Sequence, residues 1–178
     1  MRKSADHTPA RAILGMIGVA MGVLAGLLNA HLGIDMSLSP SLMGWLLVSI
    51  IIVVFLHEGL HAAVGGLLGH KPLFGLQLPL VYVTFPGKVP RGHYMLVALT
   101  PFVILNLLCG FLLARGGLNV FFDLSLIVNS IGSMGDIWVV LKLAGGPKGA
   151  WIQDTKSGFE VWVADERAKA GLGIPKEV

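Results

Sequence analysis

The sequence predicts an all-α integral membrane protein with about four transmembrane helices, and three observations carry that expectation. Only 13% of the 178 residues are charged while 54% are hydrophobic, against roughly 25% charged in an ordinary soluble domain. Three charge-free stretches, Ala12–Ile34, Met36–His57 and Gly92–Ala114, each match the ~20 apolar residues that cross a bilayer. The lysines and arginines gather in short segments between those stretches. A chain this small with half the usual charge does not cover itself with polar groups, which excludes soluble enzymes, disordered tails and disulfide scaffolds. Its basic balance suits an anionic leaflet and not nucleic acid, because the cations lie beside apolar spans.

The expected helices cover 12–33, 42–69, 94–114 and 119–143. Arg2, Lys3 and Arg11 precede the first. Its length, and the lack of a clean small-x-small cleavage site after it, mark it as a retained helix and not a signal peptide. Gly18, Gly22 and Gly26 form a small-residue stripe on it, suited to packing within the chain or to a homodimer. The single cysteine, Cys109, falls inside an apolar span and reads as a small buried side chain. Placing both termini in the cytoplasm puts 12 of the 13 lysines and arginines inside, as the positive-inside bias requires; the expected topology is therefore multi-pass. The connection 73–85 is apolar, uncharged and too short to cross. Its β-branched and aromatic content predicts a short extended hairpin or a re-entrant segment at the cytoplasmic interface. In the tail, 151–153 and 159–163 flank Asp154–Gly158, a pattern that reads as a hairpin with a five-residue loop, with Trp151 and Trp162 near the headgroups. Two parts result: a membrane-embedded domain over 1–143 and a short cytoplasmic tail over 144–178.

The chemistry is concentrated in the second span, at His57-Glu58-Gly59-Leu60-His61. Residues four apart on a helix lie one turn up on the same face. Two imidazoles at that spacing can bind one metal ion, with the intervening glutamate reaching its water. An unpaired glutamate in hydrocarbon costs roughly 3 kcal/mol or more, so packing alone explains the cluster poorly. A third ligand is needed, and Asp136 is the best placed. It lies about 10 Å, and His61 about 12 Å, from the cytoplasmic ends of their helices at 1.5 Å per residue. Asn129, Gly132, Ser133 and Asp136 fall on one small-polar stripe. His70 and His93 are weaker ligand candidates in the connecting loop. Asp123 is expected at the outer interface. Arg91 and Tyr94 read as interfacial anchors. Asn106, after the Thr100-Pro101 kink signal, suits a hydrogen bond to a substrate carbonyl or, equally, packing between helices, and the kink would free a backbone carbonyl near the site.

With these residues in view, the chain resembles the zincin peptidases among small bacterial membrane proteins, which are similar to the site-2 group of intramembrane metalloproteases. The resemblance runs from about residue 50 to 163. It rests on His57–His61, the extended segment after it, Thr100-Pro101-Phe102, and Asn129 through Gly135-Asp136. It implies a bacterial plasma-membrane enzyme with Zn²⁺ on His57, His61 and Asp136, Glu58 as catalytic base, and Asn129 as a substrate contact. Site-2 proteases place a proline between that asparagine and the aspartate and a glycine after it; here the proline is absent and Ile137 stands in the glycine's place. The expected activity is hydrolysis of a peptide bond of a membrane protein near the cytoplasmic side. The alternative is a non-proteolytic regulator or metal-binding module on the same fold.

Overall fold

The computed structural model describes residues 39–163, apart from 78–79, 117–118 and 156–157. The expected first helix, with Gly18, Gly22 and Gly26, lies outside these residues. Helix α1 (Pro40–Leu67) starts where its sequence says it should: Ser39 accepts the Leu42 N–H on its hydroxyl and proline takes the first turn, where its missing N–H is harmless. The hairpin β1 (Leu73–Gln77) and β2 (Leu80–Thr84) follows, then the short β3 (Lys88–Pro90), α2 (Arg91–Ala114), α3 (Asn119–Gly132), α4 (Met134–Ala144) and the hairpin β4 (Trp151–Thr155) and β5 (Gly158–Trp162).

The fold is therefore not all-α with four spans. The described residues hold four helices and two antiparallel sheets, β1-β2 and β3-β4-β5. Two helices, α1 and α2, are long and apolar enough to cross a membrane. The stretch expected as a single span over 119–143 is two helices bent by 42°. Gly132 and Gly135 flank the break at Ser133, and glycine is the poorest helix former after proline. Sequence periodicity does not register such a break, because both halves remain apolar. The sheet content was undercounted for a different reason: β3 is three residues long and carries a proline, and only its tail partner makes it a strand. It pairs Val89 with Ile152, both buried, which joins the tail to the connection after β2. The tail hairpin is also tighter than expected, with Thr155 opposite Gly158.

Helices α1, α2 and α3 pack pairwise, and α4 lies mainly against α2. On α1 the inward stripe is Leu42, Ser49, Val53, His57, His61 and Gly65, while Leu47, Ile51 and Phe55 are exposed. The polar side chains of this helix, Ser49, His57 and His61, are on the inward stripe, an arrangement compatible with an apolar surrounding. Asp123 follows the same rule and is buried in α3. Beneath the helices, Phe85, Val89 and Val97 form a small core with Val64, Leu68, Val83 and Tyr94 packed on it. Phe85 presses on Gly65 so closely that a Cβ there would sit 2.2 Å from its ring. That contact sets how near β2 comes to α1.

Candidate functional site

His57 and His61 project from α1 with ring centroids 4.8 Å apart and planes at 80°. The break at Ser133 turns the first turn of α4, with Asp136, towards them. Asp136 Oδ2 lies 3.0 Å from His57 Nε2 and 3.5 Å from His61 Nε2. Glu58 belongs to the same constellation: one donor atom from each of His57, Glu58 and His61 falls within 4.8 Å of the others.

The far side of each imidazole is also engaged. His57 Nδ1 lies 3.0 Å from Asn129 Oδ1, and His61 Nδ1 lies 2.9 Å from the carbonyl oxygen of Val97. A carbonyl only accepts, so His61 Nδ1 carries the proton. The same holds for His57, because Asn129 Nδ2 donates to Pro101 O at 3.2 Å and to Asn106 Oδ1 at 2.9 Å, which leaves its Oδ1 for the histidine. In the neutral rings both Nε2 atoms then present lone pairs to a carboxylate oxygen that is itself only an acceptor. A cation resolves that opposition. Tetrahedral donors 2.0–2.1 Å from a zinc ion stand ~3.3 Å apart, and the two separations here, 3.0 and 3.5 Å, bracket that value. The donor set fits zinc, with each histidine backed by an acceptor, as ligating histidines almost always are.

Glu58 reaches out of the helix bundle: its Oε2 accepts the Val83 N–H of β2 at 2.8 Å. On the other side of Val83 a cavity of about 70 Å³ is bounded by His61, Asp136, Val83, Tyr94, Val139 and Asp154, large enough to hold water. The larger cleft around Arg91, Lys148 and Trp151 touches none of these donors.

Several residues stand elsewhere than expected. The amides of Asn106 and Asn129 are engaged inside the bundle, with Asn106 Nδ2 donating to Ser130 Oγ at 3.1 Å, which is the interhelical role open to Asn106. His70 and His93 hydrogen-bond each other at 3.0 Å, apart from the site. Burial and the neighbouring His93 hold His70 below the usual histidine range. Arg91 is a cap: its Nε and Nη2 donate to the carbonyls of Leu143 and Ala144 at the end of α4. Tyr94 donates to Asp154 Oδ1 at 2.5 Å, while Asp154 Oδ2 accepts from Thr84 Oγ1 and Phe85 N, both at 3.0 Å. Asp154 ties the tail to the end of β2, and in sequence it looked like an ordinary turn residue. The Val97 carbonyl had one advance sign, the proline four residues on.

Paired imidazoles one turn apart, a glutamate between them and an aspartate facing them from another helix define a metallohydrolase type of site. Residues 50–151, more than half of the chain, match the family described as "Putative zincin peptidase", and the chain belongs to that family. Zinc is the metal the family implies. The chain is also 29% identical over 146 residues to a Pyrococcus woesei protein named "Uncharacterized 24.7 kDa protein in gap 5'region". The alignment covers 78% of this chain and 65% of the archaeal one, so the chain spans just under two thirds of that relative. No solved structure matches the chain.

Proposed function

We propose that the protein is an intramembrane zinc endopeptidase that hydrolyses a peptide bond of a membrane protein near the cytoplasmic side, with both termini in the cytoplasm. The observation that carries this reading is the convergence of His57 Nε2 and His61 Nε2 from α1 on Asp136 Oδ2 from α4, beside Glu58, in a bundle whose helices α1 and α2 are long and apolar enough to cross a bilayer. His57, His61 and Asp136 hold the metal. Zinc, when bound, acidifies a water and polarises the scissile carbonyl. Glu58 takes the proton of the attacking water and delivers it to the leaving amine. The cavity against His61 and Asp136 admits that water.

Strand β2 has one edge on β1 and turns the other towards Glu58. A locally unwound substrate lying along that edge as an added strand would take the Val83 N–H from Glu58, so that the base is released when substrate arrives.

The test is metal content and cleavage of a transmembrane reporter by full-length protein in detergent. Wild type is expected to hold about one zinc per chain and to cleave. Glu58→Gln should keep the metal and lose cleavage by ~10²-fold or more. His57→Ala and Asp136→Ala should lose both. A wild type that binds no zinc when supplied with it refutes the reading.

A further inference from the structure

Pro101 lies in the middle of α2, where a proline has no N–H to give the carbonyl four residues earlier and its ring pushes that carbonyl aside. That carbonyl belongs to Val97. In this structure it is the group that accepts His61 Nδ1–H at 2.9 Å. With any other residue at 101, the helix N–H at that position would compete for the same oxygen. Pro101 acts on the second histidine as well, since its own carbonyl accepts from Asn129 Nδ2 and so turns Asn129 Oδ1 towards His57.

We propose that Pro101 is a positioning residue of the metal site: by withholding an N–H from Val97 O, it leaves that carbonyl to His61 Nδ1 and holds His61 Nε2 as a lone pair facing Asp136. The inference rests on the reading that His57, His61 and Asp136 bind zinc, but the tautomer it specifies exists with or without the metal. Nearby, Thr100 Oγ1 returns to Leu96 O at 2.7 Å, a side-chain bond that bends helices, so bending at this point of α2 has a source besides the proline ring. The missing N–H has no other source, and this makes it separable from the bend.

The experiment compares full-length wild type with Pro101→Ala and with Pro101→lactic acid, the last introduced by nonsense suppression. Lactic acid has the side chain of alanine but an ester oxygen in place of the amide N–H. Zinc affinity is read by competition with a chromophoric chelator. The protonated ring nitrogen of His61 is read at pH 8 by ¹⁵N spectra of metal-free, histidine-labelled protein. Pro101→Ala should bind zinc 10–100-fold more weakly, the usual loss when a ligand's supporting partner is removed, and its His61 should lose the pure Nδ1–H form. The lactic-acid variant should return to within about threefold of wild type, on the same scale of supporting-partner effects. Pro101→Ala binding like wild type overturns the inference, and so does an ester variant as weak as the alanine one. If wild type binds no zinc, the peptidase reading fails alone, and the spectra still decide the role of Pro101.

Discussion

Asn129 offers the sharpest separation of stability from metal binding. It is fully buried and makes three hydrogen bonds: from His57 Nδ1, to Pro101 O and to Asn106 Oδ1. Truncation in Asn129→Ala strands all three partners. At the ~0.6 kcal/mol average for interhelical bonds in membranes this removes about 2 kcal/mol, and at the ~1–3 kcal/mol per stranded buried group seen in water it removes more, about 3–9 kcal/mol. A loss of at least about 2 kcal/mol is therefore expected, with zinc affinity down 10–100-fold because His57 loses its orienting acceptor. Asn129→Asp divides the two effects. A carboxylate still accepts from His57 Nδ1, and Asn106 can rotate its amide to donate, with Ser130 donating to it in turn. Only the opposition to Pro101 O remains. That variant should be destabilised yet hold zinc within about threefold of wild type, since the histidine keeps its partner. The assays are unfolding in mixed micelles and chelator competition on the same preparations. Equal zinc affinity in Asn129→Ala and wild type would refute the role given to His57 Nδ1, whatever the stabilities.

Three further outcomes are expected. Asp154→Ala should leave zinc content unchanged and lower the rate of reporter cleavage at least tenfold, because β2 loses its bonds at Thr84 and Phe85 and Glu58 its steady partner; loss of zinc instead would show that Asp154 acts on the metal donors. Gly65→Ala places a Cβ 2.2 Å from the Phe85 ring, so a stability loss of ~1–3 kcal/mol from overpacking is expected in micelle unfolding, with recovery in a Gly65→Ala, Phe85→Leu double variant. His70 titrates below the free histidine value, so the open state takes up the proton first. The turn held by the His70 N–H to Gly65 O at 2.9 Å is thus fully stable above about pH 6.5, the unperturbed value, and weakens as pH falls through the lower folded value. Hydrogen exchange at His70, corrected for intrinsic rate, should quicken between pH 8 and 5 in wild type and not in His70→Gln.

The part of the site carried by one helix was fully legible in the sequence, because four-residue spacing on α1 fixes which side chains share a face. Asp136 was reached by matching depths, and it does face the histidines, although the helix bearing it is broken where continuity was expected. An apolar run looks the same whether it is straight or bent at Gly132-Ser133. The asparagines show a different limit. Their residue type announced a polar role inside the membrane, but whether they touch substrate or a ligand's back side depends on neighbours from two other helices. Asp154 was invisible as a functional residue. A carboxylate in a turn-like segment is ordinary, and only the pairing of β3 with β4 carries it to Tyr94 and β2. Arg91 shows the same dependence: its basic side chain suggested lipid headgroups, yet a helix end 52 residues later supplies its acceptors.

The reach of Asp154 bears on how much of this chain is needed for a working unit. The family match ends at residue 151, and every metal donor precedes it. A fragment cut there would contain His57, Glu58, His61 and Asp136 and could load an ion. It would lack the carboxylate that anchors Thr84, Phe85 and Tyr94, and with it the fixed placement of the strand whose amide holds Glu58. The tail is thus a tie-rod between β2 and the helices that carry the metal-site residues. Ending the chain at residue 151 would test whether the ion-binding shell and the placement of β2 can be separated.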